Sequence, residues 1–167
     1  MRKLLCTIVL FFVVVIFNSC SSDSAEANTN ETSSAKLVTD YTYNDTELEV
    51  LQLINKYRVS IGLNTLQRVN HISFKSEEHD VYMIENNVVN HNDFVARSEN
   101  IIAVLGATKV GENIAYNYQT ADAVLKAWLE SPSHKQNIEG DYTHFGIAVK
   151  IDAETGKKYY TNIFAKI

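Results

Sequence analysis

The sequence has almost no cysteine, a single proline and too little basic charge, and each shortage closes a class of function. Only Cys6 and Cys20 occur in 167 residues. Cys6 sits inside the apolar run from Leu4 to Phe17, so removing that run leaves Cys20 alone. The rest of the chain then has no thiol for a disulfide, a metal thiolate or a nucleophile. Pro132 is the only proline and there are six glycines, so no Pro/Gly-rich linker divides the chain. Lys and Arg number 15 against 20 Asp and Glu, and without Arg2 and Lys3 the balance is 13 against 20. That balance argues against nucleic acid, which needs a basic face, and against loose attraction to anionic lipid headgroups.

The first residues carry a targeting pattern. Arg2-Lys3, the apolar run and the small residue Ser19 before Cys20 describe a secretory signal at 1–19. The run is too short to favour a stable membrane span. The Ser19-Cys20 pair resembles a bacterial lipobox, in which the cysteine is lipidated and becomes the first residue. The alternative is an ordinary secretory signal with an unmodified cysteine. Ser21 to about Asp45 is rich in Ser, Thr, Asn and Ala, so 20–45 is expected to be a flexible tether. Asp23 and Glu26, close behind Cys20, resemble a surface-export signal. These features place the protein in the cell envelope as an exported lipoprotein, at the outer membrane or the cell surface. Residues 46–167 are long enough to form one domain with its own core.

Within that domain the periodicity predicts alternating helices and strands. Thr46 and Glu49 fit a capping box, and Val50, Leu51, Ile54, Tyr57 and Ile61 follow at helical spacing up to Gly62. A second helix is expected from Ser73 to Glu85, with Ser76, His79 and Met83 on its inner face. A third spans Phe94 to Leu105 and stops at Gly106, with Phe94, Ile101, Ile102 and Leu105 as its apolar positions. Ile114, Tyr116 and Tyr118 alternate with polar or small residues as in a strand. Thr120 caps the helix bearing Trp128, and Ser131-Pro132 starts another at once. Two alternating runs, Phe145 to Ile151 and Tyr159 to Lys166, form a hairpin.

The chemistry centres on Glu112 in Gly111-Glu112-Asn113-Ile114-Ala115. An ionised carboxylate in a short apolar strand needs partners. The candidates are His91 and His134, the latter expected to be neutral at the start of its helix. Together the three have the ligand types of a zinc site with an open position, and Glu112 is the candidate catalytic carboxylate of a metal-dependent hydrolase of peptide or cell-wall material. Alternatively, Glu112 bonds backbone and histidines and only holds loops together. His79, Ser131 and His144 are expected to support the site. A serine hydrolase built on Ser131 or Ser133 lacks a Gly-x-Ser-x-Gly elbow.

The Gly-Glu-Asn-Ile-Ala string, with Trp128-Leu129-Glu130-Ser131-Pro132-Ser133-His134-Lys135-Gln136-Asn137-Ile138, resembles the CAP superfamily in its short bacterial form. This family is also called the SCP or pathogenesis-related-1-like domain. The resemblance covers about Thr46 to Ile167. It implies an α+β fold: a three-layer α-β-α sandwich around a small antiparallel sheet. In longer eukaryotic members two histidines and two acidic residues line a cleft that takes divalent metal. His91 matches the first histidine and Glu112 the first carboxylate. Ser131 stands where the second carboxylate would be. The second histidine belongs to a segment that short members lack, and His134 takes its place. The resemblance implies a surface binding or interaction module, with a metal, small ligand, lipid or peptide in the cleft; the alternative is the metal-dependent hydrolase.

Overall fold

The computed structural model describes residues 36–167. The expected signal peptide, Cys20 and most of the tether lie outside the described residues. The elements run α1 (Asp45–Ser60), β1 (Gln67–Arg68), α2 (Asn70–Glu85), α3 (Phe94–Leu105), β2 (Lys109–Tyr116), α4 (Ala121–Glu130), α5 (Pro132–Ile138), β3 (His144–Ile151) and β4 (Lys158–Lys166). The sheet has four strands in the order β1-β3-β4-β2. Helices cover both faces, giving the expected three layers. The sheet is not wholly antiparallel, because β1 pairs with β3 in parallel through Gln67 and Arg68. Two residues are too few for a period to register in sequence.

Strand alternation assigns the faces. Phe145, Ile147, Val149, Tyr160 and Phe164 point toward α1 and α4 and pack with Val50, Ile54, Val124 and Trp128. On the opposite face Ile163 and Ala165 meet Ile72 of α2 and Ile101 of α3, while Ile114 meets Met83. The approach of α2 is close. A methyl group on Gly146 would collide with the backbone of Ile72 and Ser73.

Two helix starts differ from expectation, for one reason: a polar side chain is used across the fold. α1 is capped by Asn44 with Glu47, not by Thr46 with Glu49. Both pairs have the same spacing, but Glu47 also accepts from the Val149 N–H at 2.8 Å and from the Tyr41 hydroxyl at 3.0 Å. α2 begins at Asn70, three residues before Ser73. Ser73 Oγ accepts from Ile147 N–H at 3.0 Å instead of capping its own helix. The end of the expected tether is also held. Val38 N–H donates to His71 Nδ1 at 3.1 Å, Asn70 Nδ2 donates to the Thr39 carbonyl at 2.6 Å, and the Tyr43 hydroxyl donates to Asn70 Oδ1 at 3.2 Å. Residues 38–43 therefore lie against α2 and belong to the domain.

α3 keeps its expected limits, with Gly106 left-handed at φ 69° as its C-cap. Its inner stripe differs, because Ile102 is exposed and Arg97 is buried beside Ile101.

The β2 edge is closed by side chains rather than by another strand. Trp128 Nε1 donates to the Ile114 carbonyl at 2.9 Å, and Asn137 Nδ2 to the Glu112 carbonyl at 3.1 Å. Asn137 Nδ2 also reaches Asn113 Oδ1 at 2.9 Å, and Asn113 Nδ2 donates to the His134 carbonyl at 3.0 Å. An edge strand with free carbonyls invites pairing with other chains, and these donors remove two of them. The same bonds fasten α4 and α5 to β2, so the two signature strings of the sequence meet here.

Candidate functional site

Glu112 lies on the α2/α3 face of β2, and its side chain is 1% exposed. Its carboxylate is held by a fork. Arg97 Nε donates to Oε2 at 2.9 Å and Arg97 Nη2 to Oε1 at 3.0 Å. His91 Nδ1 donates to Oε1 at 2.8 Å. Planar two-point pairing of this kind is the strong form of a charge-assisted bond. Gly111 precedes Glu112 because the space beside it is taken: a methyl group there would collide with the Tyr142 hydroxyl and lie 2.8 Å from Asn137 Oδ1.

The loop carrying His91 is tied at several points. Arg97 Nη1 donates to the Asn92 carbonyl at 2.7 Å, and His79 Nε2 to the Asn90 carbonyl at 2.7 Å. Asn92 Nδ2 reaches the Tyr82 hydroxyl at 2.9 Å, and Asn87 and Asp93 bend the chain with positive φ. His79 is buried and stacks on Tyr82 with ring centroids 5.9 Å apart. Burial holds its pKa below the ordinary histidine value, reinforced by the Arg97 charge. It therefore stays neutral, with the proton on Nε2, and fixes the loop that presents His91.

His91 is half exposed at the rim. With Nδ1–H given to Glu112, the neutral ring keeps its lone pair on Nε2. His134, in the first turn of α5, has its pKa lowered by burial first and by the nearby His91 second. The direction matches expectation, with desolvation as its first cause. Ser131 has extended backbone at the junction of α4 and α5 and makes no side-chain cap. Ser131 instead lines a pocket of about 340 Å³ with Ile114, Ala115, Tyr116, Tyr118, Ala127, Trp128 and His134.

His144 is not part of this arrangement. It starts β3, hydrogen-bonds Thr143 Oγ1 at 2.8 Å and pairs with Ala165, two strands away from Glu112. Nor does the fold assemble the donors that the zinc expectation requires. Among the described residues no group of three or more His, Cys, Asp or Glu side chains is placed to hold a metal ion. Both Glu112 oxygens already accept from a guanidinium, and the second acidic position is Ser131. The donors present do not make up the three protein ligands of a catalytic zinc site.

Arg97 was invisible to motif reading, although the sequence held a sign of it. Phe94, Arg97, Ile101 and Leu105 fall on one helical stripe, so one cation interrupts the apolar face of α3. A charge in that position needs a buried partner, and Glu112 is the acid that needed one.

The layered fold and the Glu112 cleft define a class, and comparison with known proteins gives the same one. The chain belongs to the CAP family, described as the cysteine-rich secretory protein family, whose model matches residues 51–164. It is 33% identical over 126 residues to the uncharacterized membrane protein YlbC of Bacillus subtilis, covering 72% of this chain and 34% of that protein. It is 30% identical over 128 residues to the uncharacterized protein YkwD of the same organism, covering 74% and 48%. The chain thus spans between a third and a half of the length of these relatives. Among solved structures, an outer surface protein of Borrelia burgdorferi shares the fold at TM-score 0.66 and 19% identity, covering 77% of this chain and 98% of that one. An extracellular protein with an SCP domain from Bacillus anthracis does so at TM-score 0.64 and 24% identity, covering 73% and 40%.

Proposed function

We propose that this chain is an exported, envelope-anchored binding module. Its ligand is small, uncharged and partly apolar, and it sits in the pocket between β2, α4 and α5. The observation that carries the reading is the lining of that pocket. No Asp, Glu, Lys or Arg contributes to it, and its one titratable base, His134, is held neutral by burial. Apolar walls with a few hydrogen-bonding groups suit a ligand of mixed character. Ser131 and His134 supply those groups, while Trp128 and the two tyrosines supply the body of the site. Glu112 stays behind this surface as an organiser, with Arg97 and His91 taking up its oxygens.

Trp128 is the only tryptophan and lines the pocket, so its fluorescence reads occupancy directly. A blocked, uncharged peptide and a neutral monoacylglycerol are suitable probes. At least one should change Trp128 emission saturably, and Ala127→Phe, which fills the pocket, should remove the response. An unchanged titration in Ala127→Phe, or a response to charged probes alone, contradicts the reading.

The relatives described as a membrane protein, an outer surface protein and an extracellular protein support export. The Ser19-Cys20 pair supports anchoring through lipidated Cys20. Full-length protein should label with a fatty-acid analogue and sediment with membranes, and Cys20→Ser should do neither. Equal labelling of the two forms rules the anchor out.

A further inference from the structure

We infer that Arg97 is the resident cation of this cleft and occupies the electrostatic place that a divalent metal would otherwise fill. This role of Arg97 is separate from the proposed ligand and does not depend on it.

A metal ion in such a cleft would do two things: neutralise a buried carboxylate, and hold a strand, a helix and a loop to one centre. Arg97 does both. Its fork neutralises Glu112, whose side chain is almost wholly out of water. Its third nitrogen, Nη1, holds the Asn92 carbonyl, so one guanidinium joins α3, β2 and the His91 loop. The guanidinium is itself largely buried and always charged. A dication placed on Glu112 would meet that charge at about the length of a hydrogen bond, in a region of low dielectric where repulsion is little screened.

The surrounding donors are consistent with this. His91 spends its Nδ1 proton on Glu112. The position three residues after Trp128 carries Ser131, which is a weak ligand beside a carboxylate. No third His, Cys, Asp or Glu among the described residues completes a set. His91 and His134 alone offer two imidazole nitrogens, fewer than either a structural or a catalytic zinc site uses.

The test is zinc titration by calorimetry on the intact domain. Wild type should give no saturable binding beyond that of His91→Ala/His134→Ala. Arg97→Met removes the charge while keeping an apolar stem, and should bind zinc at least about tenfold tighter than wild type, the lower end of the effect of changing a ligand's surroundings. Adding Glu112→Gln to Arg97→Met should abolish that gain. A stoichiometric zinc isotherm in wild type that disappears in the double histidine variant overturns the inference. So does a folded Arg97→Met that gains nothing. If Arg97→Met does not fold, the wild type and the double histidine variant decide the matter between them.

Discussion

Arg97→Met is expected to destabilise the domain by about 3–5 kcal/mol, the usual cost of stranding one member of a buried ion pair. The cost comes from Glu112 rather than from the lost arginine. Its carboxylate would stay inside the α2/α3 layer with only the His91 bond remaining. An ionised group without its counter-charge is far more expensive there than in water. The Asn92 carbonyl would also lose its donor, loosening the His91 loop. Urea denaturation measures the change. An unchanged slope with a lowered midpoint assigns the effect to stability. A loss within about 0.5 kcal/mol, typical of a surface substitution, would mean that the pair is not buried as described.

The second large effect concerns pH. Asp80 of α2 is fully buried, with Oδ1 accepting from the Thr161 hydroxyl at 2.6 Å and Oδ2 without a partner. Burial raises its pKa well above the ordinary carboxylate value, and the nearby acids Glu47 and Glu112 add to the rise. The sign follows from proton counts. Between the unfolded and folded pKa values the unfolded chain has lost its Asp80 proton while the native domain keeps it. The native state then binds more protons, so stability falls as pH rises through this window. The fall begins just above the usual aspartate pKa and ends at the raised folded value. One proton contributes a slope of up to about 1.4 kcal/mol per pH unit. Asn at this position has no proton to lose. Asp80→Asn should therefore match or exceed wild type in stability at pH 8, with a shallower decline between pH 5 and pH 8. Glu47, also raised by burial, titrates with the same sign, so the decline is reduced rather than removed. Thermal melts across that range measure it. A variant less stable than wild type at pH 8, with the original slope, would place an ionised Asp80 in the native state.

These two acids show how far sequence alone reaches. Glu112 was legible because a carboxylate inside an apolar strand breaks the pattern around it, and His91 was within reach as a partner. The limits of α3, the Thr120 cap and the C-terminal hairpin were legible because local chemistry sets them: a left-handed glycine, a hydroxyl on Ala123 N–H, and period-two alternation. What escaped depends on distant partners. Asn44 wins the α1 cap because Glu47 also reaches β3. Ser73 gives up its helix to bond Ile147. Ser131 precedes the helical proline yet faces a pocket. His144 shares a residue type with the site and nothing of its location. Arg97 is the most informative omission. Charged residues in helices are usually solvated, and only the stripe it shares with Ile101 marks it as buried.

The fold also gives physical meaning to the two signature strings. Trp128 and Asn137 supply the donors that satisfy the carbonyls of Ile114 and Glu112, and Asn113 returns a bond to the α5 backbone. The strings therefore act as one unit, a strand edge and the helical pair that closes it. The pocket lies along that closed edge, lined by Ile114, Ala115 and Tyr116 of β2 with Trp128, Ser131 and His134.

The central claim is that Glu112 organises the cleft through Arg97. A double-mutant cycle with Arg97→Met and Glu112→Gln measures it most directly, read by urea denaturation at pH 7. The glutamine amide keeps the shape and can still accept from His91 but carries no charge. The account predicts that Arg97→Met costs much less in the Glu112→Gln background, with a coupling energy of about 2 kcal/mol or more. Additive losses, with coupling within about 0.5 kcal/mol, would contradict it.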